Sequence, residues 1–169
     1  MKLAEFKQIV PHPLRITTLV FLVRGDEVLL AMKKRGFGEG RYNGAGGKPE
    51  PGESVEEAAI REAEEEVVVT PTGLVKVAVL NFYFLKIPIE DNWNQQVQVF
   101  FACEWRGEPT ETDEMRPEWF KQTGLPFDQM WSDDPLWLPR VLAGEKPEAD
   151  FAFDQDQQVA EYAFRPFSG

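Results

Sequence analysis

The run GFGEGRYNGAGGKPEPGE, residues 36–53, is followed directly by SVEEAAIREAEEEV, residues 54–67, so a glycine- and proline-dense segment feeds an acidic helix. Ser54 and Glu57 stand at the spacing of a capping box, which starts the helix at Ser54. The β-branched run Val67-Val68-Val69 and then Pro71 end it. On such a helix Glu62, Glu65 and Glu66 fall at i, i+3 and i+4 and become neighbours on one face. Ala59, Ala63 and Val67 form an adjoining stripe able to pack on a sheet. Clustered carboxylates repel one another and call for a positive partner, and a hard divalent cation with oxygen ligands supplies it. A merely solvated acidic face carries the same local pattern. The preceding segment reads as one long structureless loop, a feature usually kept for function.

Working outward, residues 16–23 (ITTLVFLV) read as a buried strand, Arg24-Gly25-Asp26 as a turn and residues 28–33 as the returning strand. Residues 75–87 and 96–105 read as two further strands joined by the polar turn Glu90-Asp91-Asn92 and paired antiparallel. A second helix is expected to begin at Asp133 or Asp134, ahead of Pro135, and to stop at Gly144, with Pro139 kinking or shortening it. The alternation of residues 151–164 predicts a terminal hairpin. Residues 1–15 form an N-terminal extension whose role is not legible and whose expected place is along the sheet edge.

Composition narrows the chemistry. With 169 residues, 43% of them hydrophobic and 12% aromatic, the chain suits one domain spanning 1–169. A formal net charge of −11 argues against a nucleic acid polymer as partner and leaves a small anion clamped by a metal. Cys103 is the single cysteine and His12 the single histidine, which disfavours a disulfide, structural zinc and a serine–histidine triad. Neither a signal-type apolar stretch at the start nor a run of about 20 apolar residues is present, so a soluble, cytoplasmic protein is expected, with a monomer compatible with everything in the sequence.

Gly47, five residues, Glu53, seven residues and Arg61-Glu62-Ala63-Glu64-Glu65-Glu66 resemble the Nudix box, G-x5-E-x7-R-E-U-x-E-E, where U is aliphatic. The resemblance implies an α/β fold, specifically the Nudix α/β/α sandwich with a central mixed β-sheet. It implies Mg²⁺ as cofactor, with Mn²⁺ able to substitute, and assigns Glu62, Glu65 and Glu66 as metal ligands or water-activating base. Glu53 and Arg61 would brace the loop against the helix, and Gly46 would offer its carbonyl to the metal. The pattern continues with a glycine where this chain has Val68, so the turn after the helix is not expected to take a positive φ readily. Ala63 is also small for its aliphatic position.

Three further segments, residues 32–48, 112–120 and 125–137, resemble the oxidised-purine nucleoside triphosphatase subfamily. That resemblance implies a base pocket formed by Asn43, Asp133 and Asp134, roofed by Trp131, walled by Phe82 and Phe37, with Lys33 and Thr18 at the sugar and phosphate entrance. Glu114 becomes a fourth carboxylate near the metal. Two adjacent acids can divide their labour, one protonated and one ionised, and so read a purine that has gained a donor at N7. Each residue also has a plain reading: Asp133 and Asp134 as helix caps, Trp131 and Phe82 as core, Lys33 as a strand-end charge, Asn43 as a loop residue. Gln95 departs from the subfamily, which carries a methionine there after a shorter loop, so base preference can differ. The implied reaction is hydrolysis of 8-oxo-dGTP-like triphosphates to monophosphate and pyrophosphate. The alternatives are a Nudix hydrolase of another nucleoside diphosphate derivative, such as a nucleotide sugar or dinucleoside polyphosphate, and a nucleotide-binding module without catalysis.

Overall fold

The computed structural model describes residues 1–167. Along the chain run α1 (Leu3–Ile9), β1 (Arg15–Arg24), β2 (Glu27–Lys33), β3 (Tyr42–Asn43), α2 (Val55–Val67), β4 (Thr70–Thr72) and β5 (Val75–Phe84). They are followed by β6 (Gln95–Ala102), β7 (Glu104–Arg106), β8 (Met115–Lys121), α3 (Asp134–Leu142), β9 (Pro147–Phe153) and β10 (Val159–Pro166). The main sheet is ordered β10-β9-β5-β6-β1-β2, and β2 pairs in addition with β3 and β8. β1 with β6 and β5 with β9 are parallel, the other pairs antiparallel, so the sheet is mixed. Among the described residues no helix is long and apolar enough to cross a membrane.

Period-two alternation sorts the layers. Val20 and Leu22 of β1 share a cluster with Ala59, Ala63 and Val67, the apolar stripe of α2. Phe21, pointing the other way, packs with Trp137, Leu138 and Val141 of α3. Tyr83 and Ala152 bury Leu3 and Phe6 of α1, whereas Phe82, Phe84, Phe151 and Phe153 face the α3 cluster. Two helices therefore cover one face and α3 the other, as the sandwich requires. The extension is thus a short helix on the sheet face rather than a segment along its edge.

β1 and β2 pair only at Val23↔Val28 and Arg24↔Glu27, next to their turn. Beyond it they splay, and residues 42–47 fill the gap: Tyr42 and Asn43 pair with β2 as β3, while Val20 N–H donates to Ala45 O at 2.7 Å and Thr18 N–H to Gly47 O at 2.9 Å. The segment expected to be structureless is in this part a strand wedged into the sheet. The predicted strand 96–105 is broken at Cys103 into β6 and β7, the latter pairing with β4. The strand begun at Val75 ends at Phe84, three residues before the expected Ile87. β8 was not anticipated, because Pro117 interrupts its pattern; at the sheet edge a proline's missing N–H costs no ladder bond.

α2 begins as its sequence dictates, with Ser54 Oγ accepting from Glu57 N–H and Glu57 returning a bond to Ser54 N–H. Its end differs from expectation: Val68 takes the left-handed conformation, φ 65° and ψ 31°, that the missing glycine would have taken. A β-branched residue there carries strain of about 1–2 kcal/mol, offset in part by its lower unfolded-state entropy. Val68 is half exposed, so little packing is lost on removing its side chain. Val68→Gly is expected to stabilise the protein by about 1 kcal/mol, raising Tm by roughly 2–4 °C in a thermal melt. A lower Tm would contradict this account of the helix exit.

Candidate active site

The wedge places the glycines where side chains would not fit. A Cβ on Gly46 would lie 1.7 Å from Thr18 O, and one on Gly47 would lie 2.4 Å from Glu62 Oε1. With Ala45 and Gly47 turned to β1, the intervening Gly46 faces α2, and its N–H donates to Glu66 Oε1 at 2.8 Å. Glu66 is 5% exposed, and burial pushes its carboxyl up to about 7 despite the Gly46 bond and the nearby Lys33. Glu62 is likewise raised by burial, with Arg61 opposing.

Arg61 ties the loop to the helix. Its Nε and Nη2 donate to the two oxygens of Glu53 at 2.8 and 3.0 Å, its Nη2 also to Lys48 O at 3.0 Å, and its Nη1 to Glu62 at 2.9 Å. The guanidinium holds the Glu53 carboxyl below its ordinary range. Lys33 Nζ stands 3.8 Å from Glu66 and 3.6 Å from Glu114. Arg35 holds Glu114 at 2.8 Å and lowers its pKa. Lysine and arginine thus balance the carboxylates that the sequence pattern brought together.

The predicted ligands do not all converge. Glu62 and Glu66 meet the Gly46-Gly47 backbone, but Glu65 projects outward onto Arg61 at 3.3 Å and Glu114 onto Arg35. Among the described residues no three acids, cysteines or histidines form a ready metal-ligand group. The donor chemistry nonetheless fits Mg²⁺: every candidate is an oxygen, and a buried carboxylate beside a glycine carbonyl suits a hard cation that keeps much of its water.

Beside this centre lies a cavity of about 210 Å³ lined by Thr18, Lys33, Phe37, Asn43, Phe82, Trp131, Asp133 and Asp134, all eight predicted substrate residues, and by Gly46 and Glu66. Asp133 and Asp134 are each 2% exposed. Asp133 accepts from Trp137 Nε1–H at 2.8 Å, and Asp134 from Trp131 N–H at 3.1 Å. Asp133 makes no cap bond to the helix it precedes, so capping does not explain it. Burial raises Asp133 to about 6, and burial together with the neighbouring Asp133 charge raises Asp134 well above the ordinary range. Phe37, expected as a wall, stacks on Trp131 at 5.1 Å, and the Arg41 guanidinium lies 4.0 Å over the same indole. Trp93 meets Phe37 edge-on at 5.1 Å. Arg41, Trp93, Phe84, Phe153 and Thr17 were not identified from sequence; Phe84 stands two residues from Phe82 on the same strand face, which was the available signal.

A NUDIX domain model matches residues 13–162. The chain is 43% identical over 148 residues to an oxidized purine nucleoside triphosphate hydrolase of Danio rerio, covering 88% of this chain and 92% of that one. It is 40% identical over 151 residues to the protein of that name in Mus musculus, covering 89% and 94%. A mutator MutT protein of Bacillus halodurans superposes with a TM-score of 0.75 at 25% identity, over 91% of this chain and 99% of that chain.

The buried aspartates make stability depend on pH in a definite direction. Their folded pKa values lie above the ordinary aspartate value of 3.8, so the stability they withhold is small below that pH and grows as pH rises toward about 6 and beyond. Asp134→Asn keeps an acceptor for Trp131 N–H and removes one titrating group. The variant is expected to melt above wild type at pH 7, with the margin shrinking by roughly 3–5 °C per pH unit on going down to pH 4. Thermal melts across that range check it, and a margin that grows on acidification contradicts it.

Proposed function

This chain belongs to the Nudix family, and from that premise we propose that it hydrolyses oxidised purine nucleoside triphosphates, such as 8-oxo-dGTP, to monophosphate and pyrophosphate. Its role is then to clear damaged precursors from the nucleotide pool. The observation that carries the reading is one continuous cavity with the buried Asp133–Asp134 pair among its walls and Gly46 and Glu66 at the catalytic side. Two adjacent buried acids, both pushed up by burial and Asp134 further by the Asp133 charge, can share one proton and so offer one donor and one acceptor. A purine oxidised at C8 offers an N7–H that an unmodified purine lacks, and such a pair complements it. Asn43 adds an amide and Trp131 a flat indole to the same walls.

The catalytic side is assigned in the same way. Glu62, Glu65, Glu66, Glu114 and the Gly46 carbonyl would hold Mg²⁺, or Mn²⁺ in its place, with Glu65 and Glu114 turning in from their arginines. Bound there, the cation polarises phosphoryl oxygens and eases ionisation of a water. Glu53 and Arg61 fix the loop on the helix; Lys33 and Thr18 sit where the cavity meets the carboxylates and would receive the sugar and phosphates. A carboxylate of the Glu62–Glu65–Glu66 face takes the proton of the attacking water. In this reading the chain acts as one domain, residues 1–169, on a diffusing small molecule in the cytoplasm, and its charge of −11 disfavours polymeric nucleic acid.

The test is pyrophosphate release from 8-oxo-dGTP as a function of Mg²⁺, with wild type and Glu66→Gln. Glutamine keeps an acceptor for Gly46 N–H, so the fold is expected to survive. Release should require the metal, and kcat should fall by about 100-fold or more in the variant. Metal-independent release, or a variant as fast as wild type, would overturn the assignment of Glu66.

A further inference from the structure

The sheet forms the floor of the cavity, and that floor is mostly apolar: Leu19, Phe82, Phe84, Val97 and Phe153. Two polar side chains interrupt it. Thr17, on β1, donates from Oγ1 to Gln95 Oε1 on β6 at 2.9 Å, and Gln95 Nε2 donates to Trp93 O at 3.1 Å. Both residues line the cavity. An apolar side chain would serve folding as well at such a place, since a buried amide must be satisfied before it stops costing stability. The two bonds fix the orientation of the Gln95 amide and leave it one N–H and one lone pair to offer. That remaining pair of valences complements a hydroxyl, which donates once and accepts as well.

Position within the cavity indicates which hydroxyl. Asp133 and Asp134 are polar walls at one end, Asp134 accepting from Trp131 N–H, while Thr18 Oγ1 lies 3.3 Å from both the N and O of Gly47, beside the carboxylates. A nucleotide whose base reaches the aspartates and whose phosphates reach Gly46-Gly47 must lay its sugar between them. Thr17 adjoins Thr18 in the chain, and Val97, its register partner, stands two residues from Gln95 on the same face. Further out on that face Arg15, the register partner of Gln95, buries its Nε without a hydrogen-bond partner among the described residues.

We propose that Gln95, oriented by Thr17 and the Trp93 carbonyl, is a specificity-determining residue that reads a hydroxyl of the substrate's sugar. The inference rests on the nucleotide reading above. Thr17 is a positioning residue, acting through the Gln95 amide.

Binding of monophosphates separates sugar recognition from base recognition and from catalysis. The dissociation constants of 8-oxo-GMP, its 2′-deoxy and 3′-deoxy counterparts and GMP are measured by calorimetry for wild type, Gln95→Met and Thr17→Val. In wild type the loss of one of the two hydroxyls should weaken binding by about tenfold, the worth of one hydrogen bond to a buried partner. In Gln95→Met that loss should cost less than about twofold, with an intermediate factor in Thr17→Val, while the preference for 8-oxo-GMP over GMP persists. Wild type indifferent to both hydroxyls, or equal losses in wild type and Gln95→Met, overturns the role of Gln95. An 8-oxo-GMP that binds no more tightly than GMP, with the hydroxyl dependence intact, instead refutes the base assignment and leaves the sugar contact standing.

Discussion

The close approach of Gly46 and Gly47 to β1 and α2 is the constraint on which the site depends. Gly46 lies against the Thr18 carbonyl so tightly that no Cβ could be accommodated, and Gly47 meets the Glu62 carboxylate in the same way. Only because that backbone fills the splay between β1 and β2 can its N–H reach Glu66 and hold a carboxylate inside the protein. In β1 Thr17, Leu19 and Phe21 look toward the cavity and α3, Val20 and Leu22 toward α2, and Thr18 borders the cavity where it meets Gly47.

Charge gives the second layer of organisation. An acidic chain that gathers further carboxylates must offset their repulsion, and Lys33, Arg35 and Arg61 do so within 4 Å of the groups concerned. Arg61 has a structural duty, because its fork closes on Glu53 across eight residues and fixes the segment that precedes the helix. Lys33 holds looser contacts, 3.8 and 3.6 Å from Glu66 and Glu114, whereas Arg35 grips Glu114 at 2.8 Å. At the far end the Asp133–Asp134 pair has no basic partner among the described residues, and burial raises both carboxyls instead. One region therefore gathers carboxylates offset by basic side chains, and the other buries two acids with indole and backbone donors.

The sequence displayed α2 and the glycine positions clearly, because capping and box spacing are local and each residue's role follows from its offset along one helix or one loop. The candidate pocket residues were legible only through resemblance: in isolation Asp133 and Asp134 look like caps, and it takes their burial and the Trp137 and Trp131 bonds to separate them from that role. What stayed hidden depends on partners distant in the chain. β3 exists because β1 and β2 diverge, β8 because Pro117 happens to sit at an edge, and α1 because Tyr83 and Ala152 offer it an apolar face. Val68 shows the opposite failure: local propensity argued against a left-handed residue, yet Val68 takes that conformation where the chain passes from α2 into β4. Gln95 was noticed as a departure, but its bond to Thr17 is a cross-strand fact that no single segment contains.

The central claim is that one cavity joins a reader of oxidised purines to a phosphate-cleaving centre, and kcat/KM measured side by side for 8-oxo-dGTP, dGTP and ADP-ribose with Mg²⁺ tests it most directly. The account predicts that 8-oxo-dGTP is preferred over dGTP by about tenfold or more, the discrimination expected of a buried pair that gains or loses a hydrogen bond, and over ADP-ribose by more still. Equal turnover of 8-oxo-dGTP and dGTP, or a preference for ADP-ribose, would contradict it.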